Sequence, residues 1–337
     1  MRAAVLGAGN WGTTFAQVLC DAGTATVLYA RDPEVADEIT ARHSNERYLP
    51  DVTLTPALAA TADIEAALDG AAVVALAVPA QKLRPLLREW APLIPRDALL
   101  VSLMKGIEHD TCQRMSEVIV SALDVPAAQV AVVSGPNLAP EIARREIAAT
   151  VVACSDVSGT AVLQKACHAP YFRPYTDDDV PGCELSGAAK NVIAIAVGMA
   201  VGLGLGDNTK ATLITRGLAE IGRLGAAMGA RPRTFAGLAG MGDLVATCSS
   251  PLSRNRKFGA LLGSGVPVDE ALSRMSQTAE GPASCEPLLA LAGLYGAEMP
   301  ITAVVAQVLR NNLTVEEAAV VLASRSAKPE WYDTDGV

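Results

Sequence analysis

The chain has 337 residues, of which half are hydrophobic and 19% charged, with a net charge of −9. That composition excludes a disordered polymer and argues against a general nucleic-acid binder, which would show a basic footprint. The length suggests two domains, and with aromatics at 4% the core must be built from Ala, Val, Leu and Ile.

In chain order, Arg2–Leu6 reads as a strand, Trp11–Ala22 as a helix and Thr26–Tyr29 as a second strand. Ile64–Leu68 reads as helix, Val73–Val78 as a buried strand stopped by Pro79, Leu83–Trp90 as helix and Leu99–Leu103 as strand. Thr111–Leu123 follows as helix, Val130–Ser134 as strand, and Ile147–Cys154 and Tyr171–Tyr175 as two later strands. Strands alternating with helices predict a parallel sheet covered on both faces, and near-continuous Val/Leu/Ala runs fit strands buried on both sides. Asp177–Gly182 reads as a linker, and no strand pattern follows it. The helices expected beyond it are Cys183–Val201, Thr209–Met228, Val268–Met275, Glu286–Tyr295, Ala303–Asn311 and Val315–Ser324, the last opened by the capping box Thr314-Val-Glu-Glu317. The expected fold class is therefore α/β, with a doubly wound domain over 1–180, an all-α helical domain over 181–327 and a polar tail over 328–337.

Seven cysteines, an odd number without a C-x-x-C pair, make a disulfide framework or zinc site an unexpected reading, and no metal is predicted. The apolar run Ala3–Leu6 is too short for a signal peptide. The longest apolar stretch, Val192–Leu205, is interrupted by three glycines and falls short of the about 20 residues of a membrane span. It reads as a buried helix, no integral membrane segment is predicted, and a cytoplasmic protein is expected.

Gly7-x-Gly9-x-x-Gly12 lies between the first strand and the first helix. The first glycine permits a tight turn, the second lets backbone approach a pyrophosphate, and the third lets helix and strand pack closely. The helix N-terminus then offers free N–H groups to phosphates. The first domain is therefore of Rossmann type and its ligand a dinucleotide. At the end of the second strand stand Arg31 and Asp32. Arg31 comes first and could meet a 2′-phosphate, whereas an acidic residue there would bind ribose hydroxyls. The cofactor is NADP or NAD, with NADPH favoured.

Further segments make the chain similar to the bacterial NAD(P)-dependent glycerol-3-phosphate dehydrogenases. They are Gly7-Ala-Gly-Asn-Trp-Gly-Thr13, Lys105-Gly-Ile-Glu108, Ser134-Gly-Pro136, Glu184-Leu-Ser-Gly-Ala-Ala-Lys-Asn191, Gly206-Asp-Asn-Thr-Lys-Ala211, Ala239-Gly-Met-Gly-Asp-Leu244, Thr247-Cys-Ser-Ser250, Ser253-Arg-Asn-Arg256 and Ala279-Glu-Gly281. The resemblance runs from the first strand to about Val308. It implies a Rossmann domain followed by a helical domain, with the active site in the cleft. It also implies reversible reduction of dihydroxyacetone phosphate to sn-glycerol 3-phosphate, feeding glycerophospholipid synthesis. The partner is thus a small molecule and not nucleic acid; self-association as a homodimer is left open.

Hydride transfer to a ketone requires a positioned acid at the carbonyl oxygen. Lys190 resembles the family's catalytic lysine, and the small residues Gly187-Ala188-Ala189 before it leave room beside the helix. Lys105 would contact both substrate and cofactor. Asp243 would bond substrate, or simply cap a helix beginning at Leu244. Ser253, Arg254 and Asn255 form a basic, hydrogen-bonding block suited to a phosphate, and Arg254 would also touch cofactor. Gly135, Asn191 and Thr247 complete the substrate set. Where the family carries Ser after Gly-Pro, this chain has Asn137, which can still donate and accept. The cofactor set implied by the same carry-over is Gly7, Gly9, Asn10, Trp11, Gly12, Arg31, Lys105, Ala139, Arg254, Ala279 and Glu280. Trp11 is equally well explained as a core residue.

Overall fold

A computed structural model describes residues 1–275, 279–326 and 329–330. The first half runs β1 (Arg2–Leu6), α1 (Asn10–Asp21), β2 (Ala25–Tyr29), α2 (Pro33–Asp37), β3 (Ala59–Thr61), α3 (Ile64–Leu68), β4 (Val73–Leu76) and α4 (Leu83–Trp90). It continues β5 (Leu99–Ser102), α5 (Met115–Leu123), β6 (Val130–Ser134), α6 (Ala139–Ala143), β7 (Ala148–Cys154), α7 (Val157–Cys167) and β8 (Phe172–Asp177). The eight strands make one sheet in the order β3-β2-β1-β4-β5-β6-β7-β8. Its first six positions follow the doubly wound dinucleotide-binding order. Strands β1, β4, β5 and β6 are buried along nearly their whole length, as strands covered by helices on both faces must be.

The sheet is mixed, which corrects the expected parallel one: β7 is antiparallel to β6, and β8 runs parallel to β7. The reason lies in the connection. Between β6 and β7 the only helix is α6, of five residues, so the chain turns back instead of crossing over. Helix α5 begins at Met115 and not at Thr111. The preceding residues close a tight loop, with an antiparallel bridge between Ile107 and Arg114 and Cys112 at φ 56.

The second half is helical: α8 (Val180–Gly202), α9 (Asp207–Ala227), α10 (Pro232–Ala236), α11 (Asp243–Ser249), α12 (Arg254–Gly263), α13 (Val268–Ser273), α14 (Glu280–Leu294), α15 (Pro300–Leu309) and α16 (Val315–Ala323). The expected linker is absent. Only Asp178 and Asp179 separate β8 from α8, and Asp179 is buried. Its carboxylate accepts from Gly182 N (3.0 Å), Arg231 N (2.9 Å) and Thr234 Oγ1 (2.6 Å), pinning the junction to two helix starts. The capping box at Thr314–Glu317 forms as read. Of the polar tail, only residues 329 and 330 lie among those described.

Helix α8 is the axis of this half. By length and composition it could cross a membrane, but 89% of its most apolar window is buried inside the molecule. It crosses α12 at backbone contact. A Cβ on Gly198 would stand 2.2 Å from the Arg256 carbonyl, and one on Gly259 would stand 2.1 Å from the Ile195 carbonyl. Glycines on both helices therefore set how near the start of α12 comes to the middle of α8, where Lys190 and Asn191 sit.

Candidate active site

The glycine turn joins β1 to α1. Gly7 has φ +119, which disfavours any side chain, and its N–H bonds the Tyr29 carbonyl (3.1 Å). A Cβ on Gly12 would lie 1.9 Å from the Gly7 carbonyl, so only glycine lets helix and strand meet there. Gly9 differs: a Cβ there would meet nothing within 4 Å among the described residues. Among the described residues it faces open space, and no side chain caps the start of α1 behind it. A turn with free helix N–H groups and an unobstructed glycine fits a pyrophosphate.

Around this cradle, Arg31 is exposed just beyond the end of β2, while Asp32 caps α2 by accepting from Glu34 N (3.1 Å). Asn10 opens α1, and Trp11 packs against Phe15 and Phe172, with ring centroids 5.7 and 6.4 Å away. Ala139, the first residue of α6, accepts through its carbonyl from Thr14 Oγ1 (3.3 Å), which ties α6 to α1. One residue of the cradle escaped the sequence reading. Asn45 is fully buried, and its amide donates to the Ala8 carbonyl (3.0 Å) and to Thr13 Oγ1 (2.9 Å), bracing the turn from a loop more than thirty residues downstream. No spacing pattern marks it.

The chemistry-bearing groups meet beyond the carboxyl ends of β5 and β6. Asp243, only 1% exposed, holds two lysines on one carboxylate. Lys190 pairs with Oδ1, and Lys105 donates to Oδ2 at 2.5 Å. Lys190 also donates to Thr247 Oγ1 (2.6 Å), and Lys105 to the Gly135 carbonyl (3.0 Å). Asp243 is itself the first residue of α11, and its carboxylate is spent on the lysines; the helix-cap alternative does not hold. The room left by Gly187 turns out to be for Lys105: a Cβ there would stand 3.3 Å from Lys105 Cγ and 3.0 Å from Ser134 Oγ.

Burial pulls the Lys190 amine down to about 8, with Asp243 opposing and Lys105 adding to the fall. The ammonium is therefore able to give up a proton near neutrality without being lost as a cation at pH 7.

A second wall is built by α12 and α14. Asn255 Nδ2 donates to Asn191 Oδ1 (2.9 Å) and its Oδ1 accepts from Gly281 N (2.9 Å), so one side chain joins three helices. Gly281 packs directly on Asn255, which starts α14 at Glu280, six residues before the sequence reading placed it. Ser253 caps α12 by accepting from Arg256 N (3.2 Å), leaving its own O–H to donate. Arg254 follows it with an exposed side chain. Burial raises Glu280, while Arg254 and the Ala80 backbone pull it back. Ala279 is the residue that caps α14. Asn137 donates to Thr150 Oγ1 (3.0 Å), while its Oδ1 is buried with no partner among the described residues. A Cβ on Gly135, at φ +155, would stand 3.0 Å from Thr150 Cα. No cluster of metal-ligating side chains occurs among the described residues.

The family model for the N-terminal domain of NAD-dependent glycerol-3-phosphate dehydrogenase matches residues 2–160, and the model for its C-terminal domain matches residues 179–320. The chain is 56% identical over 332 residues to a glycerol-3-phosphate dehydrogenase (NAD(P)+) of Thermobifida fusca, covering 98% of this chain and 99% of that one. It is equally similar, at 56%, to the enzyme of that name from Streptomyces griseus, covering 98% of each. The crystal structure of glycerol-3-phosphate dehydrogenase from Coxiella burnetii superposes with a TM-score of 0.91 at 38% identity, covering 96% of this chain and 99% of that one.

Proposed function

The chain belongs to the NAD-dependent glycerol-3-phosphate dehydrogenase family, and from that premise we propose that Lys190 is the proton donor and acceptor in its NAD(P)-dependent interconversion of dihydroxyacetone phosphate and sn-glycerol 3-phosphate. The observation that carries the assignment is the buried Lys190–Asp243–Lys105 cluster, with Lys190 poised near pH 8. When bound, the nicotinamide supplies or accepts the hydride at the substrate's C2.

The residues do the rest. In reduction, Lys190 Nζ gives its proton to the oxygen that gains charge as C2 becomes tetrahedral. Lys105, on the other oxygen of Asp243, adds positive field at the same oxygen and orients the carbonyl. Asp243 holds both amines in register and opposes deprotonation of Lys190, and Thr247 fixes the rotamer of Lys190. Arg254 takes the substrate phosphate in a bidentate grip, with the free hydrogens of Ser253 and Asn255 completing the pocket. Asn191 and Asn137 line the cleft, and the backbone about Gly135 closes it.

On the cofactor side, Gly7, Gly9, Asn10 and Gly12 cradle the pyrophosphate, with Trp11 and Ala139 flanking it and Ala279 and Glu280 near the nicotinamide. Arg31, exposed while Asp32 is occupied as a cap, supports a 2′-phosphate and thus NADPH as the preferred donor. Residues 1–180 thus form the NAD(P)-binding domain and 181–327 the helical substrate-binding domain, with Lys105, Gly135 and Asn137 of the first reaching the substrate and Ala279 and Glu280 of the second reaching the cofactor. The proposal extends to a cytoplasmic enzyme, a homodimer if it self-associates, whose product feeds glycerophospholipid synthesis.

Steady-state reduction of dihydroxyacetone phosphate with NADPH and NADH compared tests the reading. Turnover with both and a lower KM for NADPH is expected; turnover of 2-keto acids in place of the phosphorylated ketone would overturn it.

A further inference from the structure

Glu184 lies in one of the segments singled out from the sequence, yet the reaction as described leaves it unused. It is on α8, six residues before Lys190, or about 9 Å along the helix axis. Its carboxylate is 5% exposed and meets the start of α5. There it accepts from Ser116 N (2.8 Å), Ser116 Oγ (2.5 Å) and Arg114 Nη1 (2.7 Å). An anion at a helix N-terminus is favourably placed. Even so, burial raises the Glu184 carboxyl, with Arg114 working against that rise.

Arg114 belongs to the loop that carries Lys105. It pairs with Ile107, two residues after Lys105, as an antiparallel bridge, and Glu108 N bonds the Gln113 carbonyl (2.9 Å). This closed loop is moored on two sides. Arg84 of α4 grips Glu108 with three bonds, of 2.8, 3.1 and 2.7 Å, and Glu184 of α8 grips Arg114 and Ser116. On the first side Gln81 also donates to the Ile107 carbonyl (2.8 Å) and accepts from His109 N (3.0 Å). The first mooring is within the nucleotide-binding half; the second crosses to the helix that carries Lys190. A buried ion pair is weak evidence for stability, since an apolar replacement often does as well. What this pair does fix is the offset between the Lys105 loop and α8.

We propose that Glu184 is a positioning residue: through Arg114 and Ser116 it holds the Lys105 loop against α8 at the spacing where Lys105 and Lys190 share the Asp243 carboxylate. The proposal rests on Lys190 being the proton donor. It predicts that cutting the tie leaves the loop folded, moored to α4 by Arg84, while Lys105 drifts from Lys190.

The groups acting on the Lys190 charge are Asp243 and Cys248 from α11 and Lys105 from the loop after β5. Arg254 of α12 and Glu280 of α14 act on each other. Retreat of Lys105 removes a neighbouring cation, so the Lys190 amine becomes harder to deprotonate. Loss of the Glu184 charge by itself acts in the opposite sense, since removing an anion makes a lysine easier to deprotonate. The two effects are therefore separable by the direction of the pH shift.

The experiment is Glu184→Gln, with kcat and KM for dihydroxyacetone phosphate measured from pH 6 to 10 at saturating NADPH, and NADPH affinity measured by fluorescence. The expected result is a kcat lowered on the order of 10- to 100-fold, as for a displacement near 1 Å. NADPH affinity should stay within about twofold, and the basic limb of the kcat profile should move upward from its wild-type position. A wild-type kcat, or a lowered kcat with the limb unmoved or moved down, overturns the proposal. Should Glu184→Gln fail to fold, Ser116→Ala keeps the ion pair and removes one bond. The same upward movement with a smaller loss is then expected, and an unmoved limb overturns it. An inactive wild-type protein would instead sink the reading of the reaction itself.

Discussion

Replacing Asp243 by Asn removes one negative charge from between two buried lysines while keeping the size of the side chain. At about 4 Å and an effective dielectric of about 20, a unit charge pair is worth about 4 kcal/mol. With about 1.36 kcal/mol per pKa unit, that is an upper bound of about 3 units. Lys190, held at about 8 in the intact site, would fall toward the lower figure of roughly 5. The direction is fixed: burial and Lys105 both push the amine down, and Asp243 is the partner opposing them. Reduction needs the protonated amine, so its rate is lost as pH rises through the Lys190 pKa. At pH 7 the protonated share falls from about nine in ten to between about a half and, at the upper bound, roughly one in a hundred. The assay is NADPH oxidation with saturating dihydroxyacetone phosphate from pH 5 to 10, with NADPH binding as the control for folding. The basic limb should move down by one to three units, roughly, and the acid limb of the reverse oxidation should move down with it. A folded Asp243→Asn protein whose limb stays near the wild-type position would refute the claim that Asp243 sets the protonation of Lys190.

Lys190→Ala should lower kcat by about 10²- to 10⁴-fold, the range for a lost general acid, with NADPH affinity retained; near-normal turnover would remove Lys190 from the mechanism. Arg254→Ala should raise KM for dihydroxyacetone phosphate by about 10- to 100-fold, as for charge-assisted bonds, with kcat less affected; an unchanged KM would take Arg254 out of the phosphate site. Gly9→Ala adds a methyl group where nothing stands within 4 Å among the described residues, so thermal stability should hold while NADPH affinity falls; unchanged affinity would mean that the pyrophosphate does not lie against Gly9. Arg31→Ala should raise KM for NADPH by about 10-fold and leave NADH alone; equal effects on both cofactors would separate Arg31 from the 2′-phosphate.

Much of the doubly wound half was legible because its strands are short, apolar and bounded by Gly or Pro. Val73–Leu76 and Val130–Ser134 are of this kind. The antiparallel β7 was not legible, since direction depends on what the connection can reach, and nothing in Ala148–Cys154 itself encodes it. Helix α11 entered only as a possible helix from Leu244, and α10 and α12 carry no clear apolar period, because all three are short and α11 and α12 begin with functional polar residues. In the site, Lys190 and Arg254 stood out through family motifs, while Asn45, Arg114 and Ser116 did not. Their partners are 32, 70 and 68 residues away in the chain, and no local pattern carries such a contact.

The acidity of Lys190 is a consequence of packing before it is a property of the active site. Glycines at 198, 202, 259 and 263 let α8 and α12 touch along their backbones, and this crossing seals one flank of α8. Gly187, on the same helix, removes the side chain that would have kept Lys105 away. The first feature closes α12 onto the flank of α8 that carries Asn191; the second leaves room for a second cation at the far oxygen of the Lys190 counter-ion. Burial and Lys105 both lower the amine, and Gly187, which makes the room for Lys105, carries no side chain of its own to the substrate. A methyl group at Gly187 would thus act on the chemistry at a distance. By displacing Lys105 it would raise the Lys190 pKa, the same direction expected from cutting the Glu184 tie and opposite to that from removing Asp243.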